Sequence, residues 1–198
     1  MSDLQSLLRE LGGSRISELS QALGANEGQA KSALAMGLPT ILAALQRNAS
    51  QPGGADALAQ ALDRDHDGSV LKDLASVLKG GRQSDGEGIL RHALGHRRGS
   101  VEEAVSSQSG LGKDQVSKLM AMLAPLVMGQ LGKARRSAGT DAGGLADLLQ
   151  RETAAVAKDG PDLGVLASLL DRDGDGSIAD DLGGIAKGLL GGMLKRNR

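Results

Sequence analysis

Residues 109–132 read SGLGKDQVSKLMAMLAPLVMGQLG, and residues 23–49 read LGANEGQAKSALAMGLPTILAALQRNA. Apolar side chains recur in both at three- and four-residue spacing, without the sustained alternation of β-branched residues that marks a strand. Both stretches therefore read as long apolar helices. Each carries an interior proline, Pro39 or Pro125. Such a proline removes one backbone hydrogen bond and crowds the preceding turn, so a kink or break is expected there. Aligned on the prolines, Gln29, Met36, Pro39 and Leu45 correspond to Gln115, Met122, Pro125 and Leu131 at a constant offset of 86. Further on, ALAQAL (57–62) resembles GLADLL (144–149), and an acidic glycine loop follows each half. An internal repeat is the expectation.

Working outward, leucines keep helical spacing at Leu4, Leu7, Leu8 and Leu11 and again at Leu71, Leu74 and Leu78. The fold class is all-α: short helices in two related units, each with a Pro-interrupted apolar helix and an EF-hand-like acidic loop. Ser100 to Glu103 reads as a capping box, Asp114 and Thr140 read as N-caps, and Gly12, Gly24, Gly80 and Gly191 fall where helices should stop. The polar, glycine-rich stretch GGRQSDGEG (80–88) suggests the boundary. This places an N-terminal unit at 1–80, a linker at 81–87 and a C-terminal unit at 88–198.

Composition removes whole classes of function. The 198 residues include no Phe, Tyr, Trp or Cys, but 30 Gly, about twice ordinary usage. Without aromatic rings there is no stacking platform for single-stranded nucleic acid or sugars. Without cysteine there is no disulfide, zinc-thiolate site, iron–sulfur cluster or thiol nucleophile. A formal net charge of −1 gives no bulk attraction to nucleic acid. Asp3 and Glu10 stand where a secretory signal would need a basic region, and the apolar runs are too short to span a bilayer. A cytoplasmic protein is expected.

The chemistry concentrates in two loops. The first reads Asp63-Arg64-Asp65-His66-Asp67-Gly68-Ser69-Val70, and the second, 108 residues on, Asp171-Arg172-Asp173-Gly174-Asp175-Gly176-Ser177-Ile178. Carboxylates at positions 1, 3 and 5 of such a loop can converge on one hard cation. Glycine at 6 permits the sharp turn, and the carbonyl at 7 adds an oxygen. The candidate ligands are Asp63, Asp65, Asp67, Ser69 and Asp73 in the first loop, and Asp171, Asp173, Asp175, Ser177 and Asp181 in the second. Position 12, a bidentate Glu in a full EF-hand, is Leu74 or Leu182 here, so Asp73 and Asp181 at position 11, or water, would have to close the shell. Asp180 is a further candidate. Ca²⁺ is expected over Mg²⁺, because a crowded all-oxygen loop suits a large and flexible coordination sphere. The competing reading is an Asp/Gly-rich turn that caps the next helix and binds nothing.

The remaining polar features read more plainly. His92 and His96, four apart, lack an obvious third metal ligand and are expected to make surface or capping hydrogen bonds. The basic clusters at Arg97-Arg98, Lys133 to Arg136 and Lys195 to Arg198 are expected to be solvated helix ends. The tail IAKGLLGGMLKRNR (185–198) is apolar and cationic; core packing with a charged end is expected, with contact to a membrane surface as the less favoured reading. Neither a G-x-S-x-G nor a phosphate-binding G-x-x-x-x-G-K-[ST] is present, so no enzyme is expected.

The order of the pieces resembles the bacterial domain-of-unknown-function 937 family (YidB-like proteins). The residues carrying the likeness are 23–49, PGGADALAQALD, GILRHALG (88–95) and 109–132. The resemblance implies an all-helical bacterial protein without an established activity, in a family whose members are sometimes joined to outer-membrane-type domains. Taken together, these readings lead to the expectation of a non-enzymatic helical calcium-binding protein with a structural or interaction role. Self-association is expected from its many small residues on apolar helices. Peripheral membrane binding is the alternative, and a helical hydrolase a weaker one.

Overall fold

The computed structural model describes residues 3–159. The second acidic loop, with Asp171, Asp173, Asp175, Ser177 and Asp181, and the tail 185–198 lie outside the described residues. All regular structure described is helical: α1 (Asp3–Gly12), α2 (Ile16–Leu23), α3 (Glu27–Ala49) and α4 (Gly54–Asp65) come first. A 3₁₀ turn (Ser69–Asp73) leads into the short α5 (Leu74–Leu78), followed by α6 (Gln83–Leu94) and a second 3₁₀ turn (Gly95–Arg97). The order ends with α7 (Arg98–Ser109), α8 (Lys113–Ala138) and α9 (Ala142–Asp159).

Helices α3 and α8 are the core. Ala33, Leu34, Leu38, Ile41 and Leu42 of α3 and every residue from Leu119 to Gly132 of α8 are buried. A helix that is apolar nearly all round has to be covered on every side. Here α3 and α8 pack on each other, and all of α1, α2, α4, α6, α7 and α9 lie against one or both. Gly37 sets the closeness of the crossing: a Cβ there would stand 3.1 Å from Met120 Sδ and 3.4 Å from Leu123 Cδ1.

The expected breaks at the prolines do not occur; α3 runs through Pro39 and α8 through Pro125. Each proline forfeits a single helical bond. Beside Pro39 the Thr40 hydroxyl donates to the Met36 carbonyl at 2.7 Å. In α8, Pro125 leaves the Ala121 carbonyl without its helical N–H. Gly86 of α6 covers that oxygen so closely that a Cβ would overlap it. Tertiary contact therefore surrounds the defect, which is how an interior proline is tolerated in a packed helix.

The two long helices are clasped at their N-terminal ends. Gln29 accepts from the backbone N–H of its N-cap Asn26, and Gln115 from that of its N-cap Gly112, at 3.3 and 2.7 Å. The other end of each amide then crosses over. Gln29 Nε2 donates to the Gly110 carbonyl at 2.7 Å, while Gln115 Nε2 donates to the Leu23 and Gly24 carbonyls at 2.9 and 3.0 Å. Gly24 and Gly110 follow α2 and α7 with φ of 65° and 71°, the left-handed stop that glycine adopts without penalty. Lys118 completes the join, its ammonium donating to the Ala22 carbonyl at 2.6 Å at the negative end of α2.

Several local boundaries differ from expectation. Ser100 lies inside α7 rather than capping it, because the 3₁₀ turn feeds directly into a helix that begins at Arg98. There Glu102 accepts from Arg98 Nε at 2.6 Å, and Arg98 Nη2 donates to Ser117 Oγ on α8 at 2.8 Å. The N-cap of α8 is Gly112, with Asp114 inside its first turn. Before α9 it is Asp141, not Thr140, that receives the Gly144 N–H, at 2.9 Å. Residues 83–87 of the expected linker form the start of α6. Buried Glu152 of α9 accepts from the Leu4 N–H at 3.1 Å, satisfying across the fold a backbone donor in the first turn of α1.

A paired substitution separates close packing from helix propensity. Gly86→Ala should destabilise the protein by about 1–3 kcal/mol through overlap with the Ala121 carbonyl. Gly99→Ala, in α7 with open space around it, should instead stabilise by about 0.5–1 kcal/mol. Urea denaturation of both variants checks the two signs.

Candidate functional site

The first acidic loop leaves the C-terminus of α4 and settles on the C-terminal half of α8. Two glycines three apart on α8 form its seat. Gly129 faces Val70 Cγ1 and the Gly68 Cα, and Gly132 faces the His66 carbonyl so closely that a Cβ would overlap it. Gly68, at position 6 of the loop, has φ of 83° and makes the sharp turn. Val70 at position 8 points inward, as its apolar character predicts.

Arginines at the end of α8 lock the loop down. Arg135 Nη1 pairs with Asp63 Oδ1 and also reaches the Ala59 carbonyl at 3.4 Å, and its side chain is only 15% exposed. Arg136 Nη2 donates to the His66 carbonyl at 3.2 Å. The expectation that Lys133 to Arg136 is merely a solvated helix end is thus corrected for these two residues. They were missed because their partners lie 72 and 70 residues away in sequence. The usable signal was the Gly129/Gly132 spacing on an apolar helix, which announces close approach of another backbone.

The candidate ligands of this loop have separate protein partners. Asp63 lies in the last turn of α4 and pairs with Arg135, and Asp65 accepts from Arg64 Nε at 2.7 Å. Asp67 Oδ1 accepts from the Ser69 N–H at 2.8 Å, and bonds from the Ser69 hydroxyl and N–H hold its carboxyl below the ordinary range. Asp73 caps α5 by accepting from Ser76 N at 3.1 Å. Among the described residues, no three His, Cys, Asp or Glu side chains are grouped to hold a metal ion. The backbone thus has the turn that a cation loop needs, while the carboxylates serve as caps and ion-pair partners.

Beside the loop lies a cleft of about 730 Å³ between α4, the loop and α6, with α3 and α8 beneath. Its floor is aliphatic, including Leu45, Leu58, Ile89 and Met128; its rim carries Asp67 and the Arg64–Asp65 and Arg82–Asp85 pairs, the latter at 3.1 Å. Asn48 Nδ2 ties the far side by donating to the His92 and Ala93 carbonyls at 3.0 and 3.2 Å. His92 lines the cleft; His96 sits in the second 3₁₀ turn. His66 is half-buried here, and desolvation lowers its pKa below 6.5 despite the opposing fields of Asp65 and Asp85; Arg82 and Arg64 push the same way as burial.

These features define a class: an all-helical protein with a buried two-helix core, an acidic loop seated on one core helix and an open cleft beside that seat. Residues 5–134 match the family described as "Bacterial protein of unknown function (DUF937)", and the chain belongs to that family. The matched span contains α3, α8 as far as Ala134, the first acidic loop and the lining of the cleft, while Arg135 and Arg136 lie just beyond it. No curated protein and no solved structure matches the chain. Among the described residues no helix is long and apolar enough to cross a membrane.

Because folding depresses the His66 pKa, the unfolded chain takes up its proton first as pH falls. The His66 contribution to stability is therefore full above about pH 6.5 and is lost as pH drops through the lower folded value. His66→Gln should flatten that part of the stability profile between about pH 7 and 5, as measured by urea unfolding across that range.

Proposed function

We propose that the protein is a non-enzymatic helical protein with a structural or interaction role, in which the acidic loop is a joint fastening α4 and α5 to α8. The observation that carries this reading is the seating of His66, Gly68 and Val70 on Gly129 and Gly132, closed by Arg135 and Arg136. Every acidic group of the loop has a structural partner in that arrangement. The 86-residue correspondence supports a construction from two related halves, since Gln29 and Gln115, and Gly24 and Gly110, make matching bonds at that offset. Self-association belongs to the same reading and is supported by the small-residue composition; concentration-dependent sedimentation tests it, and a monomer at all concentrations removes it.

Calcium binding is a second reading, favoured by the left-handed Gly68 and the inward Val70. For an ion to enter the first loop, Asp63 must exchange Arg135 for the metal. The test is thermal unfolding of the full chain in EDTA, Mg²⁺ and Ca²⁺, beside Asp63→Ala, Arg135→Ala and the double variant. A joint predicts coupling of about 0.5–1 kcal/mol between Asp63 and Arg135 in EDTA, and additive single effects would remove it. Calcium binding predicts a higher Tm as Ca²⁺ rises through about 10⁻⁵ to 10⁻³ M, a rise diminished by Asp67→Ala. Equal Tm values in EDTA and Ca²⁺ would remove the metal and leave the joint standing.

A further inference from the structure

The cleft between α4 and α6 is not explained by the core or by the seating of the loop, and its two parts ask for a specific chemistry. The floor is aliphatic, with Leu58 and Ile89 only partly buried. A floor of Leu, Ile and Met side chains suits a chain of methylene and methyl groups. The rim carries three carboxylates, Asp65, Asp67 and Asp85, against two guanidinium groups. Each guanidinium is already paired with one of those carboxylates, while Asp67 has no guanidinium partner within the lining; it accepts from Ser69 and feels Arg136 and Lys72 from outside the cleft. The fitting occupant is an aliphatic peptide with basic residues at one end.

The chain contains such a segment beyond the described residues. Residues 160–184 hold six Asp and a single basic residue, Arg172, whereas 185–198 hold Lys187, Lys195, Arg196 and Arg198 and no acidic residue. The same stretch supplies Ile185, Leu189, Leu190, Met193 and Leu194. Only the last part of the chain beyond Asp159 matches both the floor and the rim. Reach is no obstacle, because the intervening 160–184 can extend by about 3.3 Å per residue, or about 80 Å in all. We propose that residues 185–198 of this chain are the ligand of the cleft, with the aliphatic side chains against Leu58 and Ile89 and the basic end at Asp67.

The native absence of cysteine makes the test clean. In the full chain, Ile89→Cys with Met193→Cys places one thiol in the cleft and one in the segment. Leu58→Cys with Met193→Cys is a second pair in case the first disturbs the fold, and circular dichroism checks both. Ser107→Cys with Met193→Cys is the control, since Ser107 is exposed on α7 and does not line the cleft. Docking predicts a disulfide within one chain, formed at least about tenfold faster in the cleft pairs than in the control because of the higher effective concentration. Leu190→Asp and Asp67→Lys should each slow it. Equal rates in cleft and control pairs would overturn the proposal. So would a disulfide found only between two chains, which would assign the cleft to a second copy.

Discussion

The crossing of α3 and α8 is the constraint on which the rest of the fold depends. Both helices are apolar on nearly every face, so neither can exist except surrounded, and the other helices supply that cover. What fixes the crossing is the exchange of amides at its N-terminal end. Gln29 and Gln115 each spend one atom on their own helix start and the other on the stop that precedes the opposite helix. The bonds satisfy backbone groups that a helix terminus otherwise leaves to water. They also fix the register of the crossing, since sliding either helix by one turn would part both amides from their carbonyls.

A core without aromatic rings has to gain contact by proximity. Glycine on a helix costs about 0.5–1 kcal/mol relative to alanine, yet Gly86, Gly129 and Gly132 stand where another element's backbone or side chain occupies the space of a Cβ, and at Gly37 a Cβ would be in tight contact with Met120. At Gly86 that neighbour is the very carbonyl freed by Pro125. Proline and glycine, each unfavourable in its own helix, are accommodated there as a pair. This accounts for the continuity of α8 through Pro125.

Much of the fold was legible from sequence, because helical spacing of leucine is a local signal and the long helices carry it with little interruption. The caps were less so. Ser100 followed by Glu103 has the letters of a capping box, but Glu102 is committed to Arg98 and the helix starts earlier. Pro125 misled for a related reason: the penalty is local, whereas the Gly86 backbone that packs on the freed Ala121 carbonyl lies 35 residues away in sequence. Fold class depends on many weak local signals that add, whereas a boundary can be moved by a single distant contact.

The acidic loop shows the same limit in its chemistry. Spacing of Asp63, Asp65 and Asp67 states that negative charge collects at a bend, and physical chemistry requires something positive nearby. It does not state what. Arg135 and Arg136 bring part of that charge from the end of α8, where they also complement the helix dipole, and the glycines one and two turns earlier admit the loop backbone beneath them. A divalent ion and a pair of guanidinium groups answer the same electrostatic demand, but with different consequences. The ion would replace the Asp63–Arg135 pair and make that one fastening depend on concentration in solution, with the Arg136 bond and the glycine seat left in place. The arginines tie loop and core helix together, so that the cleft wall formed by residues 65–70 is held by the same helix that forms part of its floor.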